Sequence, residues 1–464
     1  MRLVTLLIAS TALAACATSP DDPVRDADTA GWATETVPAS LSAGTAPLPL
    51  AKAFADPVLE TLVDRALAGN PDYLAMQSRL REARAVERAD LAALGLKVGT
   101  SSSVAYDRLS ENGTIPVGNI PGVDTERTFY DIGFDASWEL DLFGRKAARR
   151  DIAGARREIV ETGAEDAAKS LKAEVMREYV SYRAAEAETV RRQQLAEDVR
   201  QLAETVRIRR DAGTASDADV ANAKARLADT QASLPAIEAE RRTHLYRLAT
   251  LTATPPNEIA SLLEGGDQGV PPAPGVPAGL TSDILRQRSD VRQAESQLLI
   301  AAKESDLASL ARFPTFSLFG NGGPESIDAS TLFEPESLAL RAGLMMNWTL
   351  FDSGRTRALL EAAGERETQA ALGYRAAVLE ALGDVETSTA RYVQADRALE
   401  AAKTAVTERE RLLAAAETRA AAGTGARPGV LEADIALAEA RAHLARAEEQ
   451  AAVTRIALNK ALGL

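Results

Sequence analysis

The chain has 464 residues, of which 46% are hydrophobic but only 4% aromatic, a supply that suits many long, closely packed helices better than one bulky core. Its 67 acidic against 53 basic residues leave a net charge of −14, which argues against nucleic acid as a partner. The single cysteine cannot pair within the chain. The 2 histidines, His244 and His443, sit singly on helical segments and read as ordinary surface or packing residues; with no metal-ligand cluster, phosphate loop or nucleophile elbow, the sequence offers no basis for catalysis.

Residues 1–15, MRLVTLLIASTALAA, join an early cation at Arg2 to an apolar run and small residues, the pattern of a cleaved secretory signal and too short for a membrane span. Leu13, Ala14, Ala15 and Cys16 resemble the lipobox of bacterial lipoproteins. The resemblance implies a covalent lipid on Cys16, with no other cofactor and no metal expected. Ala17 in place of Asp then implies the outer membrane as destination, where several acyl chains hold the product. Residues 16–53, rich in Pro, Ala, Thr, Ser and Asp, read as an extended acylated tether.

From Phe54 onward the chain is two copies of one unit, residues 54–253 and 281–464, around a Pro/Gly-rich linker at 254–280. At an offset of 210, WELDLFGR from Trp138 returns as WTLFDSGR from Trp348, Tyr182 as Tyr392, and Ala212-Gly213-Thr214 as Ala422-Gly423-Thr424. Upstream, NPDYLAMQSRLREA at 70 resembles RSDVRQAESQLLIA at 288.

Within each unit the hydrophobic period changes. Between Tyr130 and Leu142 the even positions are apolar or small, while the odd ones carry Asp131, Asp135, Glu139 and Asp141, a two-faced strand. Residues 338–350 repeat that parity, and weaker strands are expected near 97–107 and 313–320. The stretches SENGTIPVGNIPGVD and GNGGPESIDAS read as the hairpin loops. After each Gly-Arg corner the period becomes seven, as in Val378, Val385, Tyr392, Leu399, Val406 and Leu413, and resumes beyond the turn with Val430, Leu437, Leu444, Ala451 and Leu458. That is left-handed coiled-coil packing. A first arm over 142–211 spans roughly 100 Å at 1.5 Å per residue. Pro235 is expected to break or kink the return arm.

No segment offers 18 consecutive apolar residues, so a membrane crossing must use strands. Four strands per chain cannot close a barrel, and open edges are not tolerated in hydrocarbon. Three copies give twelve, the smallest multiple that leaves a lumen. The fold class expected is therefore mainly α with a β-barrel portion: two tandem repeats, each giving two transmembrane β-strands and a long coiled-coil helical hairpin. A homotrimer forms the 12-stranded barrel and an α-helical tunnel. The even face meets lipid, and Asp131, Asp135 and Glu139 line the lumen.

FADPVLETLVDRALAGNPD, WELDLFGR, RRDAGTASDADV, FDSGR and NKALGL, with the lipobox, resemble the TolC-like outer-membrane efflux proteins of the NodT/OprM lipoprotein branch. The resemblance implies a lipid-anchored outer-membrane channel whose tunnel extends into the periplasm. Its partners would be a periplasmic adaptor and an inner-membrane pump, proton-driven and of RND type, and its task the passive exit of small toxic compounds. Export of proteins in a type I secretion system and a structural coiled-coil periplasmic lipoprotein without a pore are the competing functions. The family closes its tunnel near the hairpin turns, which points to Asp219 and Glu432 as aperture carboxylates whose mutual repulsion raises their pKa values. Arg427 stands in for an arginine tether found in relatives, and Gly213, Thr214, Gly423 and Thr424 are the adaptor-docking turns. The same carboxylates also suit a plain helix start, and the same glycines a plain chain reversal.

Overall fold

A computed structural model describes residues 42–43, 50–110, 124–264, 269–272, 274–277, 286–424 and 427–464. The signal, Cys16 and most of the tether lie outside the described residues, as does most of the longer hairpin loop.

The first repeat contains α1 (Pro57–Gly69), α2 (Pro71–Ala93), β1 (Lys97–Arg108), β2 (Glu126–Leu140), α3 (Arg145–Asp211) and α4 (Asp217–Leu251). After α5 (Pro256–Glu264) the second contains α6 (Ser289–Leu310), β3 (Thr315–Ser326), β4 (Leu338–Asn347), α7 (Arg355–Ala421) and α8 (Arg427–Ala461). The long helices, 67 and 35 residues in each copy, start and stop 210 residues apart, whereas β1 and β3 are 218 apart. The eight-residue difference falls in the hairpin loops.

Helix starts follow local chemistry. Asp56 accepts the Val58 and Leu59 amides at 2.9 and 3.2 Å, and Asn70 accepts that of Tyr73 at 3.0 Å, each followed by proline at the first helical position. Asn70 also donates to the Leu251 carbonyl at 3.0 Å, pinning the α1–α2 junction to the end of α4.

The core sits at the waist of the long helices. Leu59 and Leu62 of α1, Val175 and Tyr179 of α3, Leu248 of α4 and Ile259 of α5 are fully buried there. The segment read as linker thus contains a helix: Ile259 and Leu263 recur four apart and pack inward, which a Pro/Gly-rich composition concealed. Ser42–Ala43 of the tether pairs in parallel with Val276–Pro277. Heptad residues Val378, Tyr392, Leu437 and Leu458 are buried as the seven-residue period requires.

Pro235 does not break α4, which runs unbroken from Asp217 to Leu251 with the proline on its exposed side. A long packed helix on either side absorbs one missing amide. The second hairpin loop is also shorter than its composition suggested. Gly320, Gly322 and Gly323 belong to β3, because a β-carbon on Gly323 would lie 2.0 Å from the Ile132 carbonyl oxygen. Gly323 marks a close approach of strands rather than a turn.

Candidate functional site

The four strands form one antiparallel sheet in the order β1-β2-β3-β4. Its register pairs even residues with even, as in Val104 with Tyr130, Trp138 with Leu318, and Leu318 with Leu344. One face therefore carries Val98, Phe134, Leu318, Leu340 and Leu344 in open exposure, Phe134 at 66% and Leu340 at 79%. A lone soluble chain has no reason to bare such a row, and hydrocarbon does. The opposite face carries Asp131 across from Glu325, and a row of Asp135, Asn321 and Arg341. Ser101 donates to Asp135 at 3.0 Å. Glu139 sits lower, where Arg149 of α3 comes within 3.8 Å, so it belongs to the joint between sheet and helix. Among the described residues β1 and β4 each pair on one side only, leaving two open edges.

The joint itself is tied down by residues that periodicity could not single out. Gly144 and Gly354 take φ of 83° and 87° as the strand turns into the helix. Arg145 reaches into the other repeat and donates to the carbonyls of Leu310 and, at 3.0 Å, Phe313. Phe143 stacks on Phe313 at 5.1 Å, and Lys146 lies over the Trp138 ring at 5.4 Å. In the copy, Trp348 Nε1 donates to the Arg312 carbonyl at 3.0 Å. The one visible signal was the repetition of Gly-Arg.

At the far end the two helical turns share one geometry. Gly213 and Gly423 have φ of 73° and 70°. Thr214 and Thr424 return their amides to the carbonyls of Arg209 and Arg419 at 2.8 and 3.0 Å, a Schellman closure. Each threonine hydroxyl adds a bond to the same carbonyl, at 3.0 and 3.2 Å. The charges differ between the tips: Arg210 bridges Asp211 and Asp217 at 2.8 and 3.0 Å in the first.

Asp219 and Glu432 are both exposed near these tips. Asp219 forms a capping box with Ser216, accepting its backbone amide and its hydroxyl at 2.8 Å each. Those two bonds hold its carboxyl below the ordinary range within one protomer. The upward shift expected from neighbouring copies has to overcome this. The side chain of Arg427 lies outside the described residues.

Behind the tunnel wall, the waist holds a polar cluster without a sequence signal. Glu178, 1% exposed, meets His244 Nδ1 at 2.7 Å and Arg177 at 2.8 Å. His244 is thus a packing residue that hydrogen-bonds a buried carboxylate rather than one free at the surface. Arg183, fully buried, donates to the Leu263 carbonyl at 2.9 Å and to Tyr179 at 3.1 Å. Among the described residues no His, Cys, Asp or Glu grouping could hold a metal ion, and no helix is long and apolar enough to cross a membrane.

Residues 62–254 and 280–464 match the family described as Outer membrane efflux protein. The pyoverdine export outer membrane protein OpmQ of Pseudomonas aeruginosa is 30% identical, covering 89% of this chain and 86% of that protein. The toluene efflux pump outer membrane protein TtgF of Pseudomonas putida is 29% identical over 76% and 74%. The solved outer-membrane channel OprN superposes with a TM-score of 0.79 at 28% identity, covering 91% of this chain and 94% of its own. Proteins of this family are channels rather than enzymes. They are outer-membrane trimers with a tunnel into the periplasm, working with adaptor and inner-membrane pump partners. The chain belongs to the outer membrane efflux protein family and is the outer-membrane channel component of a tripartite efflux system.

Proposed function

We propose that this channel is a lipid-anchored homotrimeric duct through which small toxic compounds leave passively, delivered by a proton-driven pump of the RND type and its adaptor. The observation that carries the reading is the two-faced sheet with open edges, continuous through a clamped corner with helices of 67 residues. Such a sheet is completed in hydrocarbon only by sister copies, and the helices then extend the same lumen roughly 100 Å inward. The polar row of Asp131 and Asp135 lines the lumen. Three copies each of Asp219 and Glu432 form carboxylate rings where the tunnel narrows, with Arg427 beside them, and favour cations. The turns at Gly213–Thr214 and Gly423–Thr424 receive the adaptor, and lipid on Cys16 holds the tether in the outer leaflet's partner layer. Export of pyoverdine and efflux of toluene are what the names of the OpmQ and TtgF relatives describe.

Reconstitution into planar bilayers tests this. Stepwise, cation-selective conductance is expected, with selectivity reduced when Asp219→Asn and Glu432→Gln are combined. Absence of steps in both forms would leave a structural coiled-coil lipoprotein as the better account.

A further inference from the structure

The helices that lead into the sheet, α2 and α6, each begin where the return arm of a hairpin ends, and the two repeats make that junction differently. In the first, Asn70 serves both helices. It donates to the Leu251 carbonyl at the end of α4 and accepts the Tyr73 amide of α2, each at 3.0 Å. Pro71 follows, with no amide to satisfy.

In the second repeat Arg288 stands in place of Asn70, and Ser289 in place of Pro71. A guanidinium has no acceptor, so Arg288 cannot cap α6. It reaches out instead, donating to the Ala461 carbonyl of α8 at 2.6 Å and to Asp290 and Asp384 at 2.7 and 3.0 Å. Asp290 accepts the Val291 amide at 2.9 Å. Ser289, only 6% exposed, is left over: among the described residues neither its amide nor its hydroxyl has a partner. Buried polar groups are nearly always hydrogen-bonded, so two idle donors on one residue call for a ligand.

Ser289 lines a cavity of about 450 Å³ where α3, the start of α6, α7 and the end of α8 meet. Three cations and three carboxylates also line it, but they are sorted. Arg288 holds Asp290 and Asp384. That leaves Lys169 of α3 and Lys460 of α8 opposed by Asp166. Lys169 donates to the Gly463 carbonyl, which covers the negative end of α8. Lys460 is exposed, and among the described residues no carboxylate comes within ion-pairing distance of it. The positive end of a 22-residue helix adds to these two ammonium groups.

We propose that this cavity binds a phosphoryl group, free or on a small organic carrier, at the N-terminus of α6. The amide and hydroxyl of Ser289 supply the donors with which helix starts hold phosphate, and the two lysines add point charges from α3 and α8. A tetrahedral oxyanion accepts from several directions at once. A planar carboxylate is better served by an arginine fork, and the fork of Arg288 is already filled by Asp290 and Asp384. The volume exceeds what bare phosphate needs and leaves room for a carrier. One protomer builds the whole site, so it is independent of the trimeric duct.

Isothermal titration calorimetry on the full chain in detergent, at neutral pH and fixed ionic strength, tests this with inorganic phosphate, glycerol phosphate and acetate. Both phosphates should bind, and acetate about tenfold more weakly or not at all. Ser289→Pro copies the start of α2 and removes both donors, so it should weaken phosphate by about tenfold or more. Ser289→Ala, which keeps the amide, and Lys460→Gln should each weaken it by about three- to fivefold. Tighter binding of glycerol phosphate than of inorganic phosphate supports an organic carrier, and the reverse order supports free phosphate; both keep the site. No heat with either phosphate overturns it. So does binding that Ser289→Pro and Ser289→Ala leave unchanged, which would reduce the effect to charge attraction by the lysines. If Ser289→Pro unfolds at lower temperature than the parent chain, Ser289→Ala and Lys460→Gln decide the outcome.

Discussion

The two repeats share their long helices to the residue and differ in what they bury. Where the first has Glu178, Tyr179, Arg183 and His244 at the waist, the second has Ser388, Thr389, Val393 and Thr454, with Thr389, Val393 and Thr454 at 2%, 3% and 5% exposure. The polar set goes with what docks there. Tyr179 OH donates to Asp56 at 2.5 Å, which itself caps α1, and Arg183 grips the end of α5 through Leu263. Among the described residues no counterpart of α1 or α5 packs extensively on the long helices of the second repeat. A duplicated backbone thus keeps its geometry while buried chemistry follows the appended segments, the part of the molecule that repetition does not constrain.

The largest expected break comes at the sheet. Gly323 and its counterpart Ala105 sit at matching places in β3 and β1, but only Gly323 lies against backbone, its would-be β-carbon 2.0 Å from the Ile132 oxygen. Gly323→Ala should part β2 from β3 and abolish membrane-embedded trimer, read as loss of heat-modifiable migration and of sheet signal. Ala105→Gly should cost about 1 kcal/mol or less. Normal assembly of Gly323→Ala would show that the two hairpins tolerate separation.

Next is the waist. Arg183→Ala leaves the Leu263 carbonyl and the Tyr179 hydroxyl without their donor and opens a cavity, so a loss of about 3–5 kcal/mol is expected. Val393→Ala, at the same site of the second repeat, should cost only about 1–2 kcal/mol. Thermal unfolding in detergent compares them, and equal losses would mean that the appended helices add nothing through Arg183.

These contrasts also mark what could be read in advance. The 210-residue repeat, the even-odd parity and the seven-residue period each impose one residue type on every turn or pleat, so they survive in a single sequence. The long helices and the hairpin turns at Gly213 and Gly423 follow from them. Burial of a mid-helix arginine does not: the Leu263 carbonyl that Arg183 meets is 80 residues away, and Asp56, which accepts from the neighbouring Tyr179, is 123 residues from it. The strand glycines misled for a related reason. Glycine serves turns and close backbone approach alike, and only the neighbouring strand distinguishes the two at Gly323. The corner clamp from Arg145 to Leu310, 165 residues on, is equally non-local.

At the tips the repeats should behave alike. Gly213 and Gly423 hold nearly the same positive φ with open space where a β-carbon would go. Gly213→Ala and Gly423→Ala should therefore each cost about 1 kcal/mol. Unequal effects on stability would indicate that the charged surroundings of the first tip, with Arg210 between two aspartates, carry part of the turn.

The smallest effect opposes two carboxylates at the waist. Burial works against the charge on Glu178, but the His244 hydrogen bond and then Arg177 and Arg247 outweigh it and keep its carboxyl below the ordinary range. Its contribution is complete above the ordinary carboxylate value and is lost as pH falls through the depressed one. Glu449 of α8 is shifted the other way. Burial pushes its carboxyl up, with Glu240 and Glu188 adding repulsion, against a Ser181 hydroxyl bond at 2.6 Å and the attraction of His244. The folded state therefore favours its protonated form, and stability declines as pH rises from the ordinary value through the raised one. Glu449→Gln keeps an oxygen for Ser181 and removes the charge, so at pH 7 it should stabilise by less than about 1 kcal/mol, with the gain fading in acid. Glu178→Gln should destabilise at pH 7 and converge on the parent chain in acid. Both profiles come from thermal unfolding at stepped pH, and a shared sign at neutral pH would mean that the waist does not distinguish its paired carboxylate from its crowded one.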